Sequence, residues 1–216
     1  MFEIDVAGRQ EFNPWPHSPN AKAVALVDPG SVVLDLGCAG GHMAVELNKK
    51  DCSVYGVEIG DAKALEARAS CVGVVRLNLD VVEVLPYWSR QFDYVLALDL
   101  LEHLRRPDRV LGMIKPLLKR DGKLICSIPN VARLEHRLNL LRGRFDYGTG
   151  GALSKGHLRF FTRKTARDML EEAGFVNEQE LPTGLCSMIG GWWPTLLSYQ
   201  FLFVSSAAGQ ANEGDA

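Results

Sequence analysis

The chain has no Cys-x-x-Cys pair; its five cysteines, Cys38, Cys52, Cys71, Cys126 and Cys186, are scattered and odd in number. That pattern argues against a disulfide-stapled scaffold and suits reduced thiols inside a cell. Neither sign of charge is in excess, since 24 Lys and Arg against 26 Asp and Glu leave a net charge of −2. A long nucleic-acid duplex is therefore not the expected partner. The opening Met1-Phe2-Glu3-Ile4-Asp5 lacks the basic-then-apolar plan of a secretory signal, so a cytoplasmic location is expected. Leu181 to Asn212 carries no charged residue, but Gly190-Gly191 and Pro194 interrupt it. That argues against a spanning helix and leaves Trp192 and Trp193 to wall an apolar pocket or to touch a membrane surface or a second subunit.

What is present is enough for one core: 216 residues, 47% of them hydrophobic. Ser18-Pro19 offers an N-cap and a first-turn proline for a short helix ending near Asp28-Pro29-Gly30. Apolar runs bounded by turn residues then predict strands over Val32 to Leu36, Ser53 to Glu58, Val74 to Leu77, Phe92 to Leu98 and Lys123 to Ile128. Helical stretches fall between them, at Gly41 to Lys49, Asp61 to Ala69 and Pro107 to Leu118, while Asp121-Gly122 and Gly143 read as turns. Tyr94 to Leu98 is apolar throughout rather than alternating, the mark of a strand covered on both faces. The expectation is an α/β fold, doubly wound around a mostly parallel sheet, with ligands beyond the carboxyl ends of the strands. After Pro129-Asn130 an insertion of roughly thirty residues, about 131–161, interrupts the rhythm and reads as a lid. A helix from Arg163 to Ala173, capped by Thr162 and stopped by Gly174, leads to two last strands near Val176 to Leu181 and Tyr199 to Val204. Residues 1–206 are expected to form a single domain and 207–216 a disordered tail.

The most informative segment is Val32-Val33-Leu34-Asp35-Leu36-Gly37-Cys38-Ala39-Gly40-Gly41-His42, an apolar strand ending in an acid and a glycine-rich turn that opens a helix. Small residues let a ligand lie against the backbone, and the helix start presents N–H groups to it. A pyrophosphate turn requires G-x-G-x-x-G, whose third glycine would fall at His42, and no G-K-[ST] is present for a phosphate loop. The run instead resembles motif I, D-x-G-x-G-x-G, of the class I S-adenosylmethionine-dependent methyltransferases. Asp35, Gly37 and Gly41 match, and Ala39 replaces the middle glycine.

The resemblance implies a seven-stranded Rossmann-like sheet with an antiparallel last hairpin and S-adenosylmethionine as cofactor. Its binding set would be Asp35, Gly37, Cys38, Ala39, Gly41, Glu58, Ile59, Asn78, Leu79, Asp80 and Leu98. Glu58 closes the second strand about twenty residues after the glycine turn, where an acid can accept from both ribose hydroxyls. Asn78 or Asp80 would reach the adenine amino group, and Asp35 would orient the methionine end. Leu98 would offer backbone contacts.

Asp99, Glu102 and His103 stand at i, i+3 and i+4, so a helical turn there would point all three to one side. With His157 from the insertion they compose a set that could hold a divalent metal such as Mg²⁺. The arrangement resembles the metal site of methyltransferases acting on small-RNA 3′ ends and, more loosely, that of the ubiquinone-pathway O-methyltransferases. Without a metal, His103 or His157 could act as general base, with Asp99 beside them. Between Arg133 and Arg167 nine basic residues face only Glu135 and Asp146, which suits a substrate carrying phosphate or carboxylate, or else forms a solvated helix face. The expected activity is O-methylation of a hydroxyl on a small, sugar- or lipid-linked acceptor, with peripheral membrane contact a further expectation. The alternatives are a nicotinamide-dependent oxidoreductase and a non-catalytic cofactor-binding or scaffold protein.

Overall fold

A computed structural model describes residues 12–87, 90–184 and 192–208. Cys186, Gly190-Gly191 and the tail from 209 onward lie outside the described residues, as does the opening Met1 to Asp5. The chain runs α1 (Pro19–Leu26), β1 (Val32–Leu36), α2 (His42–Asn48), β2 (Ser53–Glu58), α3 (Asp61–Ala67), β3 (Gly73–Arg76), β4 (Phe92–Leu98), a 3₁₀ turn (Leu101–His103) and α4 (Pro107–Ile114). It continues with β5 (Leu118–Pro129), α5 (Leu134–Leu141), α6 (Arg163–Glu172), β6 (Phe175–Pro182), α7 (Pro194–Leu197) and β7 (Gln200–Ala207). The strands form a 7-stranded sheet in the order β3-β2-β1-β4-β5-β7-β6. β1 to β5 pair in parallel, whereas β7 runs antiparallel between β5 and β6. The order reverses between β1 and β4, which places the carboxyl ends of β1, β2 and β4 around one crevice.

Period-two alternation sorts the core into two layers. Leu34, Leu36, Leu124, Cys126, Ile128, Phe201 and Phe203 pack with Leu111, Ile114 and Leu170 under α4 and α6. Val33, Val54, Leu96, Ile125, Leu202 and Val204 pack with Ala23, Met43 and Leu47 under α1 and α2. Helices cover both faces, as the unbroken apolar character of β4 predicts. Caps fix the helix starts: the Ser18 hydroxyl accepts from Ala21 N ahead of Pro19, and the Thr162 hydroxyl accepts from Thr165 N in a capping box.

Most boundaries fall within two residues of expectation, and three differ by more or in kind. The helix expected from Pro107 to Leu118 stops at Ile114, because Pro116 removes a backbone donor; a 3₁₀ turn fills 115–117 and β5 begins at Leu118. Asp121-Gly122 lies inside β5 rather than in a turn between elements. Phe92 pairs with Leu118 and Tyr94 with Lys123, so residues 119–122 bulge out, and a Cβ on Gly122 would meet Phe92 O at 2.8 Å. β7 also runs through Ala207, the first residue of the expected tail. The insertion leaves and rejoins the body at one place, with Val131 N donating to Phe161 O at 2.9 Å.

Candidate active site

The turn after β1 is held from beneath by β2, since Gly37 N and Cys38 N both donate to Val57 O, at 2.8 and 3.1 Å. Gly37 and Gly41 take φ of +75° and +81°, and a Cβ on Gly41 would fall 3.0 Å from Ala67 Cα, so glycine is required there on both counts. Ala39, where the motif has its middle glycine, adopts φ +47°. The left-handed conformation that explains the glycine is thus kept by an alanine. Cys38 points beneath the turn into the space left by Gly56: a Cβ on Gly56 would lie 2.6 Å from Cys38 Sγ and 3.5 Å from Cys71 Sγ. Cys38 therefore offers its backbone, not its thiol, to a ligand.

Glu58, only 8% exposed, bridges two loops through its carboxylate. Oε2 accepts from Ala39 N at 3.0 Å and Oε1 from Gly60 N at 2.7 Å. These bonds fix the rotamer and leave lone pairs on both oxygens, the preorganised acceptor that ribose hydroxyls need. Asp35 is 3% exposed and its Oδ2 has no hydrogen-bond partner. Burial first, then the nearby Cys71 and Glu58, push its carboxyl up to about 8. An unpartnered buried carboxyl beside a backbone cradle, whose charged form a nearby cation would favour, fits a ligand with a cationic end.

In the turn after β3, Asn78 Oδ1 accepts from Asp80 N, a local turn that fixes the amide and leaves one lone pair on its oxygen. Leu79 is buried, and Asp80 Oδ1 accepts from Arg105 N at 2.9 Å, tying the turn to the segment after the 3₁₀ turn. Ile59 is 58% exposed at the rim, and Leu98 closes β4 half-buried.

The acidic and imidazole residues divide. Asp99 has φ +50°, which turns its carboxylate back toward the sheet: Ser127 Oγ donates to Oδ1 at 2.8 Å and Gln200 Nε2 donates to the same oxygen. The shared helical face expected for Asp99, Glu102 and His103 is not formed, and Asp99 does not join the converging set. Among the described residues, Glu102, His103 and His157 converge, with one ligand atom of each within 4.8 Å of the others. His157 reaches Glu102 because Leu158 N and Arg159 N both donate to Glu102 O, at 2.8 and 3.0 Å. The two imidazoles meet edge to face at 4.7 Å. His103 Nδ1 lies 2.9 Å from Gly156 O and His157 Nδ1 3.0 Å from Ala152 O. A carbonyl only accepts, so a neutral ring in either position carries its proton on Nδ1 and a lone pair on Nε2. His157 Nε2 faces Glu102 Oε1 at 4.0 Å. Glu102 is 1% exposed with neither carboxylate oxygen hydrogen-bonded, and burial followed by Asp99 raises its pKa well above the usual carboxylate range. Burial lowers that of His157, keeping its ring neutral at neutral pH.

Sequence reasoning missed Ser127 and Gln200, which aim Asp99, and Gly156 and Ala152, which orient the imidazoles. Ser127 could have been suspected from its place near the end of β5; Gln200 carries no sequence signal.

Residues 10–180 match the sequence model of a methyltransferase domain. The chain belongs to that family. It is a class I S-adenosylmethionine-dependent methyltransferase, which sets aside the nicotinamide alternative. It is 31% identical over 156 residues to a ubiquinone biosynthesis O-methyltransferase of Pseudomonas paraeruginosa, covering 63% of this chain and 67% of that one. Among solved structures it resembles a Pyrococcus horikoshii protein at TM-score 0.67 and 18% identity, over 96% of both chains. An S-adenosylmethionine-dependent methyltransferase from Thermotoga maritima superposes at TM-score 0.64 and 21% identity, over 88% of both. At these identities the two structures attest the fold alone.

Proposed function

We propose that this methyltransferase transfers the methyl group to a hydroxyl of a small, sugar- or lipid-linked acceptor, and that Glu102, His103 and His157 prepare that hydroxyl. The observation that carries the reading is the convergence of Glu102, a buried carboxyl with no hydrogen-bond partner, on the unprotonated Nε2 of His157 beside His103. The ubiquinone-pathway relative is named as an O-methyltransferase, which favours oxygen as the acceptor atom.

When bound, S-adenosylmethionine supplies a methyl group on a sulfonium that leaves as a neutral thioether, so the chain's contribution is placement and proton handling. Glu58 would hold the ribose, the turn after β1 would approach the methionine portion, and Asp35 would face its ammonium. His157, neutral and oriented through Ala152 O, can take the acceptor's proton on Nε2.

The same three residues also suit a divalent cation, since imidazoles that donate Nδ1–H to backbone carbonyls are oriented in the manner of metal ligands. Two nitrogens and one carboxylate, with Asp99 turned away, favour Mn²⁺, Fe²⁺ or Zn²⁺ over Mg²⁺. A cation held there would lower the pKa of a substrate hydroxyl.

Labelled donor with a panel of hydroxyl, amine and carbon acceptors tests the reading. Methyl ethers as products are expected, with His157→Ala lowering kcat by about 10²-fold or more. Products methylated only at nitrogen or carbon would refute it. Activity that survives chelation removes the cation and leaves His157 as base.

A further inference from the structure

Helix α5, carried by the insertion, buries none of its residues. Beside the exposed Glu135 and Arg137 it presents an apolar stripe to solvent: Leu134, Leu138 and Leu141, at i, i+4 and i+7, are 43%, 39% and 84% exposed. Phe145 and Tyr147 follow with their rings edge to face, 39% and 51% exposed. On a helical projection Arg137 and Arg142 flank the stripe, one on each side, both exposed. The segment 131–161 carries six basic residues against two acidic ones in a chain of net charge −2.

A second exposed apolar group stands at the root of this segment. Trp192 and Trp193 stack at 5.3 Å and are 69% and 61% exposed. They lead into α7, which is tied to the start of the insertion where Asn130 Nδ2 donates to Thr195 O and Ser198 O, at 3.0 and 3.1 Å. Arg133 lies over the Tyr199 ring at 5.1 Å just beyond.

We propose that this face docks on an anionic lipid bilayer, with α5 in the interfacial plane, its leucines among the acyl chains and its arginines at the headgroup phosphates. A leucine stripe flanked by arginines is the pattern of an interfacial helix, and tryptophan favours the water–lipid boundary. A second copy fits less well, because a two-fold contact through α5 would bring like-charged arginines together. Docking would also hold at the lipid surface the segment that meets the catalytic site, where Leu158 N and Arg159 N donate to Glu102 O. A lipid-linked acceptor would then arrive within reach, although the docking itself does not depend on the acceptor's identity.

Sedimentation of the full chain with vesicles of phosphatidylcholine alone, and of phosphatidylcholine mixed with phosphatidylglycerol, tests the idea. Binding is expected to the mixed vesicles only and to fall with added salt. Each of Arg137→Ala and Arg142→Ala should lower partitioning about fivefold, and Leu138→Glu with Leu141→Glu by roughly tenfold or more. All are surface changes, so the melting shift produced by S-adenosylmethionine should persist, separating lost docking from lost folding or cofactor binding. Failure to bind mixed vesicles, or equal binding by the leucine variant, would overturn the proposal. So would a concentration-dependent dimer broken by Leu141→Glu without vesicle binding, which would assign the face to a second copy.

Discussion

Asp35→Asn should stabilise the ligand-free chain while weakening its hold on the cofactor. The folded carboxyl is pushed from 3.8 to about 8, chiefly by burial. Between those values the folded chain keeps a proton that the unfolded chain has released, so this group's contribution makes stability fall as pH rises through that window. At pH 7 the cost is at most about 4 kcal/mol, from 1.36 kcal/mol per pH unit. An amide of the same shape carries no titration cost, though it must still bury a polar group beside the orphaned Oδ2 position, so a net gain of about 2 kcal/mol is expected. For a chain of this length that corresponds to a melting temperature about 4–8 °C higher. The assay is thermal unfolding of both proteins without cofactor from pH 5 to pH 8, where the gap between them should widen with pH. A variant less stable than the parent at pH 7, or a gap constant across the range, would refute the burial argument. With saturating S-adenosylmethionine the order should reverse, because the parent gains binding energy that the variant has lost.

Glu58→Gln keeps the size of the side chain but removes the charge and half of the acceptor oxygens, so affinity for S-adenosylmethionine should fall about 10- to 100-fold by calorimetry; unchanged affinity would remove Glu58 from the ribose role. Ala39→Gly should relieve the cost of a left-handed alanine, roughly 1 kcal/mol, less what glycine gains in the unfolded chain, leaving about 0.5 kcal/mol of added stability in urea unfolding. A loss of stability would show that the alanine methyl contributes packing that outweighs its φ of +47°.

The fold was legible because its signals are local. Strands such as β4, buried on both faces, must be apolar throughout, and caps such as Ser18 and Thr162 act within three residues of themselves. The errors also have local causes that were in plain sight: Pro116 ends α4, and Gly122 marks a bulge rather than a turn. The cofactor side shares this advantage, since Gly37, Ala39 and Gly41 lie within one turn and Glu58 ends the adjacent strand in register, with Leu36 opposite Val57.

The chemical side does not. A helical reading of Asp99 to His103 assumes one dihedral region throughout, but Asp99 sits at φ +50°, and that single residue sends its carboxylate to Ser127, 28 positions away, and Gln200, 101 positions away. His157 joins Glu102 only because two amides fifty-odd residues downstream dock on one carbonyl. Spacing can nominate residues for a site, but these contacts are set by how the insertion folds back on the 3₁₀ turn. The same contacts orient both imidazoles, so a shift of the insertion would alter the direction of the His157 lone pair before it altered any bond to the cofactor. Changes confined to the insertion should therefore act on kcat more than on donor affinity.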